Sequence, residues 1–505
     1  MTRDLASAFL SLARRWPDRT AIETGSQSFT YEETMKFAGS VSEFLASHGI
    51  RAASRIGIAM SSNEDALIAM LASWLLGATA LVADFRTRAA ERQKLAGALN
   101  LEVFIENRRA PGGDPYPALQ VDFAGFSSGL ADRVLPSSVG SDAKSIAVIG
   151  VSSGTSGMPN PVALTHECLL ARYDIARKSP QWHEGGRLAV SSPLAFSATR
   201  KHVLSRLLDG GSVVFLPLMT GPQEFADKVN SFKADSVLTV PSIVRALLAL
   251  APPDDLLFPN VKWFMACGAP MLSLEKRDAR DRLSSGFVEN YGSTMAGMIT
   301  LLETKDIRRH SASVGRPLSQ VLLEIVDAGD NPVPTGESGV IRVRTPGVAA
   351  NMPEEDPVPE RESDLIVNGW IYPGDLGFLD QDGFLTIIGR SSDLINRGGI
   401  NVFPSEIEDV ITGHPGVQEV AVVGWPDTLL GEEIAAFVVL KEEATPQEIA
   451  AWCRTRLHPD KQPRGVFDIS ALPRNANGKL LRRDLASRLP GVSSEKLREK
   501  LRLRS

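Results

Sequence analysis

The chain has 505 residues, of which 43% are hydrophobic and 23% charged, and it carries a formal net charge of −6. This is the composition of an ordinary globular protein, and the length predicts roughly two to four domains. A mildly acidic chain without long basic stretches argues against a nucleic-acid partner. The cysteines, Cys168, Cys267 and Cys453, have neither zinc-site nor disulfide spacing, which favours a reducing, cytoplasmic location.

Two segments bear on membrane insertion. Residues 1–5 lack the apolar core of a signal peptide. Residues 66–83 are apolar and about long enough to span a bilayer, but Ser73 and Thr79 interrupt them and aspartates flank them. We therefore predict a buried helix followed by a buried strand, and no membrane span.

Helical and strand-like patterns alternate from the N-terminus to about residue 320. Predicted helices are Leu5–Arg15, a segment from Tyr31 to about Leu45, Pro222–Phe232 and Pro241–Leu250. Predicted strands include Arg55–Ala59, Ser212–Leu216, Ser236–Val240 and Val261–Ala266. This alternation is typical of α/β layers with mainly parallel sheets.

The pattern changes after residue 320. Strand-like runs separated by Gly/Asp turns predict an antiparallel β subdomain over about residues 321–389. Residues 391–505 have the size and the mixed pattern of a small α+β domain. The predicted fold is therefore α/β, with a large N-terminal domain of layered sheets (residues 1–390, including the β subdomain) and a C-terminal α+β domain (residues 391–505).

One loop has the residue types of a phosphate-binding site. The apolar run Ile146–Gly150 predicts a strand, and hydroxyls and glycines crowd the residues that follow: Ser152, Ser153, Gly154, Thr155, Ser156 and Gly157. Glycine lets the backbone turn freely, so that N–H groups and hydroxyls can point at one anion. No Gly-Lys-Ser/Thr closes the stretch, so it differs from the usual P-loop. A Ser/Gly linker is the alternative interpretation.

Five further motifs follow in order: Cys267–Pro270, Asn290–Met295, Tyr372–Gly377, Gly389–Glu408 and Pro473–Arg482. Together with Ser152–His166, this set resembles the adenylate-forming (AMP-binding) superfamily, which includes acyl-CoA synthetases, aryl- and fatty-acid–CoA ligases, nonribosomal adenylation domains and luciferases. The resemblance extends from about residue 10 to about residue 488. It implies that the C-terminal domain is mobile and carries the catalytic lysine.

The resemblance also implies a set of site residues. ATP or AMP would be bound by Ser152, Ser153, Gly154, Thr155, Ser156, Gly157, Gly268, Ala269, Pro270, Asn290, Tyr291, Gly292, Ser293, Thr294, Asp375, Arg390 and Lys479. Lys479 and Thr155 would be catalytic, with Thr155 also at the metal. The acyl pocket would include Phe196, Ser197, Gly268 and Gly292. Gly398 and Gly399 would line the approach of the thiol, and Ser392 would be the hinge.

The chemistry of three of these side chains suits the implied roles. The ring of Tyr291 can stack on adenine. The carboxylate of Asp375 offers two acceptor oxygens to the two ribose hydroxyls. The cation of Lys479 suits a step in which a carboxylate must approach the α-phosphate, because both reactants are anions.

The sequence departs from the family pattern around the phosphates. Asn160 and Pro161 stand where the family has Lys and Gly, and Met295 stands where it has a glutamate that helps hold magnesium. A thioether is a poor ligand for a hard cation. Either magnesium binds through ATP oxygens and water, or nearby groups replace the carboxylate, or activity is weakened.

The implied reaction joins a small carboxylic acid to a thiol, with ATP, Mg²⁺ and coenzyme A as cofactors. A carboxylate attacks the α-phosphate of ATP, and the thiol then displaces AMP. The leading hypothesis is an acid–CoA ligase. The alternatives are a stand-alone adenylation protein that loads the phosphopantetheine of an acyl carrier protein, and a nucleotide- or acyl-binding protein with weakened catalysis. A homodimer is left open.

The acid itself is predicted from the segment after Pro193. Amino-acid-activating relatives carry an Asp directly after the phenylalanine that corresponds to Phe196, whereas this chain has Ser197. An aliphatic or aryl acid without an α-amino group is therefore the better prediction. Arg200 and Lys201 follow closely, and we interpret them as surface cations, with binding of a second carboxylate as the alternative.

Overall fold

A computed structural model describes residues 4–109, 116–137, 139–152, 160–179, 182–218, 220–350, 352, 366–427, 430–441, 444–474 and 480–489. The chain divides into two compact units. The first unit consists of Met1–Leu323 and Val343–Pro373, and the second consists of Glu324–Arg342 and Gly374–Ser505.

The helices of the first unit confirm the predicted helical segments. They are α1 Leu5–Arg15, α2 Tyr31–Ser47, α3 Asn63–Leu75, α4 Ala89–Leu99, α5 Phe123–Ser127, α6 His166–Arg177, α7 Ser197–Leu208, α8 Pro222–Ser231, α9 Pro241–Leu250, α10 Ser273–Asp278 and α11 Ile307–His310. Local signals explain several of their starts. Asp4 caps α1 by accepting from the Ser7 N–H, and Thr30 and Glu33 form a capping box at α2.

The strands of the first unit follow the predicted runs closely. They are β1 Thr20–Glu23, β2 Ser28–Thr30, β3 Arg55–Ala59, β4 Thr79–Val82, β5 Val103–Glu106, β6 Ala118–Gln120, β7 Ile146–Ser152, β8 Asn160–Thr165, β9 Arg187–Val190, β10 Ser212–Phe215, β11 Ser236–Thr239, β12 Trp263–Cys267, β13 Phe287–Ser293, β14 Gly297–Leu302 and β15 Arg316–Pro317.

These strands form two mainly parallel sheets, as the alternating pattern predicted. One has the order β15-β14-β13-β12-β11-β9-β10-β1-β2 and is parallel from β13 to β1. The other has the order β6-β5-β3-β4-β7-β8 and is parallel from β6 to β7. The carboxyl ends of parallel strands share one edge, which is where ligands bind in such sheets.

The segment that resembled a membrane span is a helix and a strand of the core. Helix α3 is buried along its length and leads into β4, whose four residues are all buried. This confirms the predicted buried helix followed by a buried strand. Within the described ranges, no helix is long and apolar enough to cross a bilayer.

The strands from residue 322 onward are mostly antiparallel, and all except Val417–Asp427 and Gly431–Leu440 are short. They are β16 Leu322–Val326, β17 Gly339–Arg344, β18 Ile366–Val367, β19 Trp370–Ile371, β20 Asp375–Leu379, β21 Leu385–Arg390, β22 Ile395–Arg397, β23 Ile400–Val402, β24 Val417–Asp427, β25 Gly431–Leu440 and β26 Gly465–Asp468. The helices are α12 Pro404–Thr412, α13 Pro446–Arg456 and α14 Arg482–Arg488.

In the second unit, a sheet is covered by helices on both faces. Its order is β23-β22-β25-β24, with β26 beside β25. Because side chains alternate along a strand, Val422 of β24 packs in a cluster with α12 and α13, whereas Val423 packs in a cluster with α14. This is the α+β arrangement predicted for the C-terminal part of the chain.

A buried histidine links the start of α1 to the start of α6. The Nδ1 atom of His166 accepts the Leu5 N–H at 3.2 Å, and its ring lies edge-on to Trp74. Burial lowers the pKa of His166 from 6.5 to about 4. The folded protein therefore holds this ring neutral at pH values where the unfolded chain protonates it.

We expect His166 to make folding sensitive to acid. Between pH 6.5 and 4 the unfolded state binds a proton that the folded state does not. The stabilising contribution of neutral His166 is therefore complete above pH 6.5, and about 3 kcal/mol of the free energy of unfolding is lost as the pH falls through this window. The free energy of unfolding, measured with urea at several pH values in this range, should change less with pH in His166→Gln than in the wild type. His48→Gln, at an exposed histidine, is the control. Equal slopes in His166→Gln and the wild type would contradict this role.

Candidate active site

The predicted phosphate loop connects two antiparallel strands. Strands β7 and β8 pair along their length, and the last register position joins Ser152 to Asn160. The residues between them, 153–159, lie outside the described ranges; they include Ser153, Gly154, Thr155, Ser156 and Gly157. The structure thus gives the two ends of the loop, and the roles of those five residues stay predictions.

The turn that contains Gly268 and the start of the Tyr291 motif lie side by side. Cys267 at the end of β12 is the register partner of Asn290 in the parallel strand β13. Gly268 then has φ +96°, a conformation that favours glycine, and it is exposed. The side-chain amide of Asn290 donates to the carbonyls of Tyr291 and Thr300, which fixes the start of the turn. Ala269, Pro270 and Tyr291 therefore emerge at one edge of the sheet.

The turn from β13 to β14 reaches the strand that enters the phosphate loop. A side chain at Gly292 would collide with the carbonyl oxygen of Gly297, so the close approach requires glycine. The hydroxyl of Ser293 accepts the Ala296 N–H at 3.0 Å. The Cγ2 atom of Thr294 would lie only 3.3 Å from a Cβ at Gly150, so Thr294 packs against β7. The structure brings these two predicted parts of the site together.

Arg172 fixes this turn and was not among the predicted site residues. Its Nη2 donates to the carbonyls of Thr294 and Met295, both at 2.8 Å, and its Nε donates to that of Gly347 at 2.8 Å. The sequence does contain a signal for it. Arg172 lies on the buried face of α6 at helical spacing from Cys168, and a charge on an apolar face needs internal partners.

The described part of the turn does not fit a protein-held magnesium ion. The Met295 side chain is buried, and a thioether does not ligate this cation well. The residues that the structure describes contain no cluster of three or more His, Cys, Asp or Glu side chains suited to a metal. Thr155, the predicted metal contact, lies outside the described residues.

The predicted acyl-pocket segment forms the start of α7. Phe196 is the residue before the helix, Ser197 is its first residue, and both are half-buried. The interpretation of Arg200 and Lys201 as surface cations is wrong, because both are buried. Helix α7 is buried from Thr199 to Leu207, so its charged residues lie away from bulk solvent.

Two of the predicted nucleotide-binding residues, Asp375 and Arg390, meet within the second unit. Asp375 of β20 and Arg390 of β21 are register partners, and the Arg390 Nε lies 3.3 Å from an Asp375 carboxylate oxygen. Asp375 is buried and Arg390 is exposed. Gly374, with φ +81°, accepts hydrogen bonds from the backbone N–H and the hydroxyl of Ser391, which fixes the turn before Asp375.

The predicted hinge and thiol-approach residues are exposed in two neighbouring turns. Ser392 lies in a 3₁₀ turn, Ser391–Asp393, and its hydroxyl donates to Asp393 at 3.1 Å. Gly398 and Gly399 form the turn between β22 and β23 with φ +61° and +88°. Any side chain would be strained at both positions, and the Gly398 N–H donates to the Leu430 carbonyl at 2.7 Å.

The predicted catalytic lysine lies outside the described ranges. Lys479 belongs to the segment 475–479, and the residues on either side of it, Arg474 and Leu480, pair as an antiparallel bridge. Arg482 follows directly and holds this region to α12, since its Nη2 donates to a Glu408 carboxylate oxygen at 3.0 Å. The role of Lys479 therefore stays a prediction.

Several known proteins resemble this chain in sequence or in fold over most of its length. A long-chain-fatty-acid–CoA ligase of Escherichia coli is 32% identical over 360 residues, which cover 70% of this chain but 63% of that protein. A 2-succinylbenzoate–CoA ligase of Geobacillus kaustophilus is 29% identical over 482 residues, covering 94% of this chain and 96% of the relative. The crystal structure of ATP-bound MatB from Rhodopseudomonas palustris has a TM-score of 0.84 at 25% identity and covers 96% of this chain and 98% of its own.

Family membership follows from two matches. The family model for the C-terminal domain of AMP-binding enzymes matches residues 406–479. The family model for AMP-binding enzymes matches residues 9–351, which is more than half of the chain. The chain therefore belongs to the AMP-binding enzyme family.

Proposed function

We propose that this protein activates a carboxylic acid with ATP and transfers the acyl group to the thiol of coenzyme A. The observation that carries the proposal is the packing of Thr294 against Gly150, beside the Gly268 turn. This methyl contact places a hydroxyl-bearing residue beside the strand that enters the phosphate loop, at the carboxyl edge of a parallel sheet. The names of the two relatives, both CoA ligases, support the choice of reaction.

The proposed reaction has two steps. A carboxylate oxygen of the acid attacks the α-phosphorus of ATP, the bond to the β-phosphate breaks, and pyrophosphate leaves. The thiol sulfur then attacks the acyl carbonyl, its proton passes to solvent, and AMP leaves. The protein contributes position and positive charge, and Lys479 is the cation that offsets the charge of the two approaching anions.

Magnesium enters this reaction as the MgATP complex. Met295 supplies no carboxylate, so the metal relies on phosphate oxygens and water. Ser197 supplies no negative charge for an α-ammonium group, so the acid lacks one. We also propose that residues 1–390 and 391–505 act as separate domains and that Ser392 is the hinge between adenylation and thiol transfer.

Removing the Lys479 cation should slow adenylation. We expect Lys479→Ala to reduce acid-dependent pyrophosphate release on the order of 100-fold, because one fixed cation in a dry site stabilises the transition state by about 3 kcal/mol. Lys441→Ala, at an exposed lysine of the same unit, should leave the rate unchanged. Undiminished release in Lys479→Ala would refute the assigned role, and release without acyl-CoA formation would point to a carrier protein as the acceptor.

Neutralising Asp375 should weaken nucleotide binding. Asp375→Asn keeps the shape but removes one of two acceptors for the ribose hydroxyls, so the Kd for AMP should rise roughly tenfold or more in calorimetry. The matched control is Asp468→Asn, an exposed aspartate of the second unit. If both variants bind AMP like the wild type, Asp375 does not hold the ribose.

The magnesium requirement should end at one ion per ATP. At fixed ATP, pyrophosphate release should rise until magnesium equals ATP and then stay constant, and chelation should abolish it. The reason is that the metal is held by the nucleotide and water. A rate that keeps rising with free magnesium would show that the protein itself holds a further ion.

A further inference from the structure

Lys201 is a buried cation for which the described residues provide no hydrogen-bond or ion-pair partner. It is 8% exposed, and within the described parts of the chain its ammonium forms no hydrogen bond or ion pair. Its neighbour Arg200 is equally buried but donates from Nη1 to the Leu194 carbonyl at 2.9 Å and to that of Ala195 at 3.3 Å. Among the described residues, Arg200 thus has hydrogen-bond partners and Lys201 has none.

The position of Lys201 is at the ligand-binding edge of the sheet. It follows Ser197 by one helical turn, so the two lie on the same face of α7. The thiol of Cys267, the last residue of β12 before Gly268, is close enough to act on it electrostatically. Its neighbour His202 packs instead on Trp263, at the opposite end of β12. Lys201 therefore belongs with the predicted acyl-pocket residues.

Among the described residues, no carboxylate acts on Lys201 as a counter-charge. Its pKa is lowered to about 7, chiefly by burial, with an opposing effect of Cys267 and a smaller lowering effect of Arg172. The buried carboxylate that acts on Cys267 is that of Glu289, and it is already paired with Lys276 at 2.6 Å. An unpaired buried ammonium destabilises the ligand-free fold, and a bound group of opposite charge would offset that cost.

We infer that Lys201 determines the specificity of the acyl pocket by pairing with a second carboxylate of the acid, so that the substrate is a dicarboxylic acid. This inference rests on the proposed function, since it names the acid for the same site. Lys201 is a binding residue here, and the carboxylate that reacts with ATP is the other one.

The titration of Lys201 gives the inference a pH signature. The charged and titratable groups that face it are Arg172, Cys267 and His202. A bound carboxylate favours the protonated amine, so the dicarboxylic acid takes up a proton on binding near neutral pH. Its KM should therefore rise as the pH increases above about 7, whereas the KM of a monocarboxylic acid should not.

Matched acids test the inference. Pyrophosphate release is measured with dicarboxylic acids from succinate to sebacate and with their partners from butyrate to decanoate, in which a methyl group replaces the distal carboxyl. We expect the wild type to prefer a dicarboxylic acid over its partner. Lys201→Met, which keeps the length but not the charge, should lower kcat/KM for that acid on the order of 100-fold and reverse the preference.

Stability separates this role from a structural one. Lys201→Met should unfold at the same temperature as the wild type or a higher one, because it removes an unpaired buried charge. Arg200→Met is the control: it should unfold at a lower temperature, because the Leu194 and Ala195 carbonyls lose their donor. A lowered Tm in Lys201→Met, or an equal loss of activity towards both kinds of acid, overturns the inference.

A binding measurement keeps the two proposals distinguishable. In the presence of AMP, a dicarboxylic acid should raise the Tm of the wild type but not that of Lys201→Met. If this holds but no acid supports pyrophosphate release, the proposed function fails and the Lys201 site stands. If the wild type activates monocarboxylic acids and neither binds nor activates their dicarboxylic partners, the function stands and the inference fails.

Discussion

The contact on which the first unit's site depends is that of Arg172 with three backbone carbonyls. Its guanidinium ties α6 to the turn at Thr294 and Met295 and to Gly347. A planar group with several donors can hold several carbonyls in one geometry. The turn is therefore fixed before any nucleotide binds, and its hydroxyls stay beside the strand that enters the phosphate loop. Such preorganisation is what a reaction between two anions requires.

The same unit shows two ways of placing a cation in the interior. Arg172 and Arg200 are satisfied by backbone carbonyls, so they are part of the scaffold. Lys201 is also buried, but among the described residues its ammonium has no hydrogen bond or ion pair. Arginine suits the first use because its donors spread over a plane, and lysine suits the second because its point charge is available to a ligand. Arg172 and Arg200 thus stabilise the pocket, whereas Lys201 is the cation that we infer to select the acid.

Much of the fold could be predicted from the sequence, because periodicity and turn residues act locally. Helix α1 and strand β3 have the predicted bounds, and the strands between residues 339 and 390 show the predicted change to short antiparallel pairs. The family resemblance predicted nucleotide-binding roles for Asp375 and Arg390, but their cross-strand register is visible only in the structure. Periodicity indicates that Arg172 is buried but not which carbonyls it contacts, and the burial of Lys201 could not be predicted. A charged residue in a helix usually faces solvent, and only tertiary packing shows that α7 is enclosed.

The burial of Met295 bears on how easily this family's usual metal ligand could be regained. A glutamate at this position would enter a dry pocket in which the Arg172 guanidinium already donates to the Met295 backbone carbonyl. The new carboxylate would pair with that guanidinium and draw it away from the carbonyls it holds. An engineered Met295→Glu would thus gain an internal ion pair instead of a magnesium ligand. Restoring the ligand would therefore require coordinated changes at Met295 and Arg172.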